Sequence, residues 1–456
     1  MKLNELIGKQ IHFIGIGGSG MSGLARIALS HGIKVSGSDK SDSQILKALS
    51  ALGAQIYIGH DAKNVDGADL IVFSNAINSD NCERQAAGAI PIITRAAALA
   101  LLMSESISIA VAGTHGKTTT SSMLTVAMQA CGADPSFAIG GLLKSSGSNA
   151  HRGTGKYFVA EADESDGSFV AYHPNGAVIT NVEWDHVDHF KTESEVIEAF
   201  NQFVGTISSD GFLVFCADDD LASQVAKNSG ATCISYGKSQ SVDLRIDSIE
   251  LTATGGSARL LWHGAKIGQL VLQVPGEHNL LNAAAAVAVG LHLELPINSL
   301  LDGLANFRGA GRRFELKGSA NGVRVIDDYG HHPTEIDVTL AAAKRFAGDG
   351  RVLVIFQPHR YSRTKTFLDK FAKSLSVADQ TWLLEIYAAS EQPISDVTSE
   401  KIANQLPNGK FEPNFLAVTE SVVAEAKPGD VIITLGAGDV SSLGPVILEA
   451  LDRKQN

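Results

Sequence analysis

Short apolar runs alternate with segments of helical pattern along almost the whole chain. Apolar runs at residues 11–14, 34–37 and 70–73 open the series, and an Ala-rich helical segment at residues 95–103 closes its first part. This alternation is typical of βαβ units, in which helices connect parallel strands and cover the sheet. The pattern therefore predicts an α/β protein with mostly parallel sheets.

The alternating pattern separates into three blocks. The second block opens with the strand pattern at residues 107–112, and the third follows a Gly-rich link near residue 311. Further strands are expected within residues 243–274 and at residues 323–326, 352–356 and 431–435. The 456 residues exceed the roughly 250–300 at which single hydrophobic cores stop growing. We therefore predict three domains, at residues 1–106, 107–311 and 312–456.

Composition and charge exclude several classes of function. With 44% hydrophobic and 19% charged residues, the chain has the composition of an ordinary globular protein. Its net charge of −12 argues against nucleic-acid binding, which depends on clustered Lys and Arg to neutralise phosphates. No segment supplies the ~18 consecutive apolar residues of a membrane span. We expect a cytoplasmic enzyme that binds neither nucleic acid nor membranes.

A first glycine-rich loop follows the first predicted strand. It reads Gly15-Ile-Gly17-Gly18-Ser19-Gly20, and a helical pattern begins at Met21. In this context backbone N–H groups at a helix N-terminus bind a pyrophosphate, and Asp39, at the end of the next predicted strand, is placed to bind ribose hydroxyls. Taken alone, the loop predicts an NAD-dependent dehydrogenase. The alternative is a turn whose glycines only allow the helix and strand to pack closely.

A second phosphate loop follows the strand predicted at residues 107–112. It reads Gly113-Thr114-His115-Gly116-Lys117-Thr118, although Val111 stands where the general P-loop pattern has glycine. Lys117 is placed to reach the β- and γ-phosphates, Thr118 to offer its hydroxyl to Mg²⁺, and the amides up to Thr119 to bind phosphate oxygens. Two phosphate loops on two domains indicate two nucleotide ligands, which weakens the dehydrogenase interpretation.

Two polar segments follow predicted strands of the second block. Glu161-Ala-Asp-Glu-Ser-Asp166 follows the apolar run at residues 157–160, and Asp185-His-Val-Asp-His189 comes shortly after the run at residues 177–180. In α/β proteins ligands gather at the carboxyl ends of strands, where carboxylates can bind Mg²⁺. The first segment is equally compatible with a solvated acidic loop. The histidines of the second fit zinc as well as magnesium.

Together these segments resemble the Mur ligase superfamily, whose P-loop variant reads Gly-Thr-His/Asn-Gly-Lys-Ser/Thr. The resemblance covers nearly the whole chain and implies a Rossmann-like N-terminal domain, a central P-loop ATPase domain with a mostly parallel sheet, and a Rossmann-like C-terminal domain. Besides the P-loop, it rests on six motifs in order: Gly15-Ile-Gly-Gly-Ser-Gly-Met21, Glu161-Ala-Asp-Glu-Ser-Asp166, Asp185-His-Val-Asp188, Gly276-Glu-His-Asn279, Asp327-Asp-Tyr-Gly-His-His-Pro333 and Gln357-Pro-His-Arg-Tyr-Ser-Arg363.

The resemblance is to the branch of the superfamily that adds L-alanine to UDP-N-acetylmuramate. It implies an ATP- and Mg²⁺-dependent ligase, with Mn²⁺ as an alternative metal, acting in peptidoglycan precursor synthesis as a monomer or weak homodimer. The lactyl carboxylate would be activated as an acyl phosphate and attacked by the amine of alanine. Several Mur ligases carry a carbamylated lysine after the Asp-His segment, and the lack of any lysine between Lys191 and Lys227 fits the alanine-adding branch.

The resemblance also implies roles for individual residues. UDP-sugar contacts are expected at Gly15, Gly17, Gly18, Ser19, Gly20, Met21, Asp39 and Ser74. ATP contacts are expected at Gly113, Thr114, His115, Gly116, Lys117, Thr118, Thr119, His278, Asn279, Asn282, Arg313 and Asp328. The amino acid and the muramoyl carboxylate are expected at Tyr329, His331, Arg360 and Arg363. Metal ligands are expected at Thr118, Glu161 and His186, and catalytic roles at Lys117, Glu161, His186, Arg313 and His331.

Two positions depart from the superfamily pattern, and several other functions compete. Asn75 follows Ser74 where a small hydroxyl is usual, and Thr94 precedes Arg95 where relatives often have a second basic residue, so the sugar contacts are expected to differ. The alternatives are a ligase that recycles an intact murein tripeptide, a folate polyglutamate synthetase and a non-catalytic UDP-sugar sensor. The N-terminal pyrophosphate loop argues against the synthetase, and the retained Lys117 and Glu161 argue against the sensor.

Overall fold

The structure, a computed structural model, describes residues 2–74 and 76–454. It contains three β-sheets, built in chain order from residues 10–94, 107–272 and 315–435. Helices lie between most of the strands, so the prediction of an α/β protein with three mostly parallel sheets is confirmed. Asn75 lies outside the described residues. The domain boundaries at residues 106/107 and 311/312 stay predictions.

The N-terminal sheet is parallel throughout. Its strands are β1 (Gln10–Ile14), β2 (Lys34–Asp39), β3 (Gln55–Ile58), β4 (Leu70–Phe73) and β5 (Ile92–Thr94), and its helices are α1 (Ser19–Ser30), α2 (Gln44–Ala51), α3 (Cys82–Gln85) and α4 (Arg95–Met103). The strand order is β3-β2-β1-β4-β5. The middle strand β1 is an almost continuous buried run, as expected for a parallel strand covered by helices on both faces. The Thr94 hydroxyl accepts a hydrogen bond from the Ala97 amide and so caps α4.

The central sheet has ten strands. Its strands are β6 (Ile107–Ala112), β7 (Ser136–Leu143), β8 (Ser148–His151), β9 (Tyr157–Glu161), β10 (Gly176–Ile179), β11 (Phe212–Cys216), β12 (Thr232–Gly237), β13 (Leu244–Leu251), β14 (Gly256–Trp262) and β15 (Ala265–Leu272). Its helices are α5 (Lys117–Ala130), α6 (Glu193–Val204), α7 (Asp220–Lys227), α8 (Glu277–His292) and α9 (Ile297–Ala305). The order is β15-β14-β13-β12-β11-β10-β6-β9-β7-β8, antiparallel only at the two ends.

The C-terminal sheet has the order β16-β17-β21-β18-β19-β20 and one antiparallel edge pair, β16 with β17. Its strands are β16 (Glu315–Ala320), β17 (Val323–Asp328), β18 (Val352–Phe356), β19 (Gln380–Leu383), β20 (Gly409–Phe411) and β21 (Val431–Leu435). Its helices are α10 (Pro333–Ala347), α11 (Tyr361–Leu375), α12 (Ser399–Ala403), α13 (Phe415–Glu425) and α14 (Leu443–Arg453). Short 3-10 helices occur at Leu3–Leu6, Ala62–Val65, Ser168–Ala171 and Asp439–Ser442.

The hydrophobic cores follow the faces of the sheets. One cluster joins the N-terminal domain to one face of the central sheet, and a second lies under α5 and α8 on the other face. Two further clusters cover the two faces of the C-terminal sheet. Within residues 2–74 and 76–454, no helix is both long and apolar enough to cross a membrane.

This packing brings the carboxyl ends of strands from two sheets to one cleft. The loops after β6, β9 and β10 reach it from the central sheet, and the loops after β17 and β18 reach it from the C-terminal sheet. Ligand sites of α/β proteins lie at such strand ends. The cleft is therefore the place where the predicted site residues are expected to meet.

Candidate active site

The second phosphate loop connects β6 to α5 and needs its glycines. Gly113 has a φ of 134°, and a Cβ there would lie 2.0 Å from the Thr180 hydroxyl oxygen. Gly116, at the N-terminal cap of α5, has a φ of 83°, and a Cβ there would lie 2.8 Å from Asn282 Oδ1. At either position, a residue with a side chain would have a strained backbone conformation, and its Cβ would clash with neighbouring atoms. Without side chains at these two positions, the loop and its backbone amide groups can lie close to the N-terminus of α5.

Lys117, the first residue of α5, points back over the loop. Its ammonium donates to the carbonyls of Gly113 and Thr114 at 2.7 and 3.0 Å, and its Nζ lies 2.8 Å from Glu164 Oε2. Burial lowers the pKa of Lys117, but the carboxylates of Glu164, Asp163 and Glu161 together outweigh burial and leave this pKa raised. Lys117 is thus a partly buried cation that lies against an anion-binding loop.

Next to Lys117 lies a cluster of oxygen donors. Glu161 Oε1 accepts from the Thr118 hydroxyl at 2.9 Å, and its Oε2 accepts from the Gly140 amide at 2.6 Å. Burial raises the pKa of Glu161. A group that contains the predicted ligand His186 but not Glu161 places one potential ligand atom of each member within 4.8 Å of the others: Asp163, Glu164 and His186. Because most of these donors are oxygens, the cluster fits a hard divalent cation such as Mg²⁺.

A cavity of about 320 Å³ lies between the central and C-terminal domains. It is lined by eight residues predicted to contact ATP: His115, Gly116, Thr119, His278, Asn279, Asn282, Arg313 and Asp328. Burial lowers the pKa of His278 to about 4 and raises that of Asp328 to about 6. The cavity has the size of a small-molecule site and combines apolar walls with few charged groups. Lys117 and Thr118 lie beside it at the start of α5.

His115, at the tip of the phosphate loop, connects the two domains. Its Nε2 lies 3.0 Å from Glu183 of the central domain, and its Nδ1 lies 3.5 Å from Glu335 on α10. Glu183 also accepts from the Thr334 hydroxyl of the C-terminal domain at 2.9 Å. Burial lowers the pKa of His115, but hydrogen bonds to the two glutamates outweigh it and raise the pKa to about 9. The protonated ring therefore holds the loop against the C-terminal domain.

We expect His115→Asn to remove a pH-dependent part of the stability. The folded pKa of about 9 lies above the ordinary 6.5, so the stabilisation is fully present below pH 6.5 and disappears as the pH rises through 9. The Tm of the wild type should exceed that of His115→Asn most at pH 6 and progressively less up to pH 10. Substituting the exposed His263 serves as the control. A Tm difference independent of pH would contradict the assignment.

The C-terminal domain contributes the residues predicted to bind the amino acid. Arg363, on α11, forms a buried two-point ion pair with Asp185, and Arg360 donates to Asp188 at 2.7 Å. His331 Nε2 lies 3.9 Å from Asp185 Oδ2, and burial lowers the pKa of His331 to about 3. The Tyr329 ring packs 5.3 Å from the His331 ring. The structure thus brings these four predicted residues to the cleft.

The first glycine-rich loop lies at the carboxyl end of the N-terminal sheet. Gly15 has a φ of 78°, and the Gly17 amide donates to Asp39 Oδ2 at 2.9 Å, so Asp39 is held beneath the loop. Ser19 lies at the start of α1, and its carbonyl accepts from Asn149 of the central domain at 2.9 Å. The other predicted residues of this site are placed around the same strand ends: Gly18, Gly20, the buried Met21, and Ser74, whose hydroxyl accepts from the Ala76 amide.

Several residues of the cleft were missed as site residues by sequence reasoning. His359 stacks on Tyr387 with ring centroids 5.5 Å apart, and its Nδ1 lies 3.3 Å from Arg363 Nη1. His359 stands inside the Gln357–Arg363 motif, which was the available signal. Glu335 carries no such signal because it resembles any acid in the first turn of a helix. The other missed residues are Asn181, Glu183, Asp185 and His332. Asp163, Glu164 and Asp188 belong to the two polar segments that were already candidates for binding a metal.

The fold and site define a three-domain P-loop enzyme with a ligand cavity between its central and C-terminal domains. The Mur ligase family catalytic domain matches residues 10–106, the Mur ligase middle domain matches residues 111–290, and the Mur ligase glutamate ligase domain matches residues 312–438. The chain belongs to the Mur ligase family.

Individual relatives match over nearly the full length. UDP-N-acetylmuramate–L-alanine ligase of Renibacterium salmoninarum is 47% identical over 99% of this chain and 97% of its own. Among solved structures, the UDP-N-acetylmuramate–alanine ligase of Thermotoga maritima is 29% identical, covers 98% of this chain and 99% of its own, and has a TM-score of 0.81. A murein peptide ligase of Psychrobacter arcticus is 26% identical over 98% and 99% of the two chains, with a TM-score of 0.72.

Proposed function

We propose that this protein joins L-alanine to the lactyl carboxylate of UDP-N-acetylmuramate in an ATP-dependent reaction of peptidoglycan precursor synthesis. The products are UDP-N-acetylmuramoyl-L-alanine, ADP and phosphate. One observation carries the proposal: the P-loop lysine and its carboxylate cluster face, across one cleft, the arginines Arg360 and Arg363 of the C-terminal domain. The 47% identity to the UDP-N-acetylmuramate–L-alanine ligase of Renibacterium salmoninarum, over 99% of this chain, supports alanine as the amino acid.

In this proposal the central domain binds ATP and activates the lactyl carboxylate. Lys117 exchanges its ion pair with Glu164 for contact with the phosphates, and Arg313 adds positive charge from the C-terminal domain. Thr118, Glu161 and His186 would hold Mg²⁺ or Mn²⁺, which neutralises charge on phosphate oxygens. Phosphoryl transfer requires positioning and charge neutralisation more than a covalent catalyst. The adenine lies near His278, Asn279 and Asn282, and the ribose near Asp328.

The outer domains present the other two substrates. The loop from Gly15 to Met21, with Asp39 and Ser74, binds the UDP part of the nucleotide sugar. Tyr329, His331, Arg360 and Arg363 receive the amino acid and the muramoyl carboxylate at the opposite side of the cleft. The amine then attacks the acyl phosphate where the domains meet. We further propose that the protein works in the cytoplasm as a monomer or weak homodimer, with domains at residues 1–106, 107–311 and 312–456.

A phosphate-release assay tests this function. Purified protein is supplied with ATP, Mg²⁺, UDP-N-acetylmuramate and one amino acid at a time. Alanine should give the highest kcat/KM, with glycine lower by roughly 10–200-fold because it lacks one methyl group. Phosphate release without UDP-N-acetylmuramate, or equal release with every amino acid, would contradict the proposal. Release with the murein tripeptide in place of alanine would identify a recycling ligase, and no release with any amino acid would favour a sensor.

A further inference from the structure

The ion pair between Asp185 and Arg363 is the most enclosed charge pair of the cleft. Arg363 Nε donates to Asp185 Oδ1 at 2.8 Å and Nη2 donates to Oδ2 at 3.1 Å, with the two side chains 3% and 2% exposed. Asp185 follows β10 of the central domain, and Arg363 belongs to α11 of the C-terminal domain. The pair therefore spans the two domains whose facing surfaces form the proposed active site.

Polar and charged side chains surround the pair. His331 and His186 each place Nε2 3.9 Å from Asp185 Oδ2, and His359 Nδ1 lies 3.3 Å from Arg363 Nη1. One helical turn away, Arg360 pairs with Asp188 and lies 3.7 Å from Glu391. Two hydrogen bonds join the Asp185 carboxylate to the Arg363 guanidinium in the two-point geometry of a charged pair. Both partners are therefore charged.

A ligand that separates Asp185 from Arg363 must provide each of the two residues with a new partner of opposite charge. Separating two buried charges is strongly unfavourable when either of them is left without a partner. A simple carboxylate would satisfy Arg363 but leave Asp185 buried and unpaired. A zwitterion carries an anion and a cation a few bonds apart, so one molecule can satisfy Arg363 and Asp185 together. Free α-amino acids have this charge distribution.

We propose that the amino-acid substrate inserts into the Asp185–Arg363 ion pair, its carboxylate replacing Asp185 on Arg363 and its ammonium binding to Asp185. This inference rests on the proposed ligase function. It assigns to Asp185 a direct role in amino-acid recognition. Binding would replace the single Asp185–Arg363 ion pair by two buried ion pairs, one between each residue and the amino acid. The site thereby selects zwitterions over carboxylates that lack the amine.

The test compares alanine with propionate, which is alanine without its amine. In the wild type, propionate must leave Asp185 unpaired and should compete only weakly with alanine in the phosphate-release assay. In Asp185→Asn that penalty disappears, so the propionate Ki should fall while the alanine KM does not fall. The ratio of propionate Ki to alanine KM should therefore decrease by roughly 30-fold or more.

The alternatives give different ratios. If Asp185 only occupies Arg363 until substrate arrives, both ligands bind the variant more tightly and the ratio is unchanged. If Asp185 only orients Arg363, both bind more weakly and the ratio is again unchanged. Either result overturns the inference, as does a propionate Ki that fails to fall. If turnover of the variant is too slow for kinetics, calorimetric titration with alanine and with propionate gives the same ratio.

A matched control comes from the same chain. Arg351 and Asp430 form a two-point ion pair of the same type inside the C-terminal domain, with Asp430 buried. Asp430→Asn should lower thermal stability and leave the ratio of propionate Ki to alanine KM unchanged. Absence of alanine-dependent phosphate release in the wild type would refute the proposed function itself. Release in the wild type with an unchanged ratio in Asp185→Asn would refute only the role of Asp185.

Discussion

Lys117→Ala is expected to lower kcat for alanine-dependent phosphate release by about 10³-fold. The ammonium is a partly buried positive charge within 3.0 Å of two loop carbonyls, and the loop contains no other lysine that can replace it. Losing one preorganised group that stabilises charge in a transition state costs about 10²–10³-fold, and here a full charge is lost. Single-turnover measurement of phosphate release at saturating ATP separates this effect from weaker binding.

The control for Lys117→Ala must remove an equivalent lysine elsewhere. Lys344 forms an ion pair with Asp379 at 2.6 Å within the C-terminal domain, so Lys344→Ala removes a paired ammonium outside the cleft. Its kcat should stay within about twofold of the wild type, since surface ion pairs contribute little to stability. Retention of more than a tenth of wild-type kcat in Lys117→Ala would exclude Lys117 from phosphoryl transfer.

Glu161→Gln is expected to raise the Mg²⁺ concentration for half-maximal activity by about 10–100-fold and to lower kcat as well. The carboxylate accepts from Thr118 and from the Gly140 amide, and glutamine keeps its shape while removing its negative charge. The neutral side chain binds a divalent cation more weakly, and its amide group would face the Gly140 N–H. Activity measured against Mg²⁺ concentration, at fixed excess ATP, gives the shift directly.

A matched carboxylate outside the site calibrates this result. Glu425 pairs with Lys410 on the surface of the C-terminal domain, so Glu425→Gln should leave the Mg²⁺ dependence unchanged. An unchanged Mg²⁺ dependence in Glu161→Gln would show that Glu161 does not bind the metal. In that case Asp163 and Glu164, which lie near His186, would be the remaining carboxylates of the cluster.

Elements with a strong local signal were predicted correctly from the sequence. The apolar run at residues 107–112 is β6, and the Ala-rich segment at residues 95–103 is α4. The stretch at residues 243–274 contains three strands, β13 to β15. By contrast, β7 and β8 were not predicted. Their sequence is rich in Gly and Ser, and β8 is mostly polar, so an alternating apolar pattern is missing.

The residues of the candidate site also divide into those that a local sequence pattern predicts and those that it does not. Lys117, Thr118 and Glu161 were predicted as site residues because a glycine-rich loop and an acidic run each follow a buried strand, and these signals lie within a few residues of the chain. Asp185 and Arg363 are 178 residues apart, and nothing in either local sequence indicates that they pair. Their contact exists only because two separate domains place the ends of their strands at one cleft.

The sequence by itself determined most of the strand and helix pattern, both phosphate loops and the family motifs, because period, glycine positions and strand ends are local properties of the chain. The tertiary structure alone decided that His115 lies between Glu183 and Glu335 and that Asp185 pairs with Arg363. The physical reason is that ion pairs depend on distances of a few ångströms. Such distances between domains are set by packing of whole sheets and not by neighbouring residues.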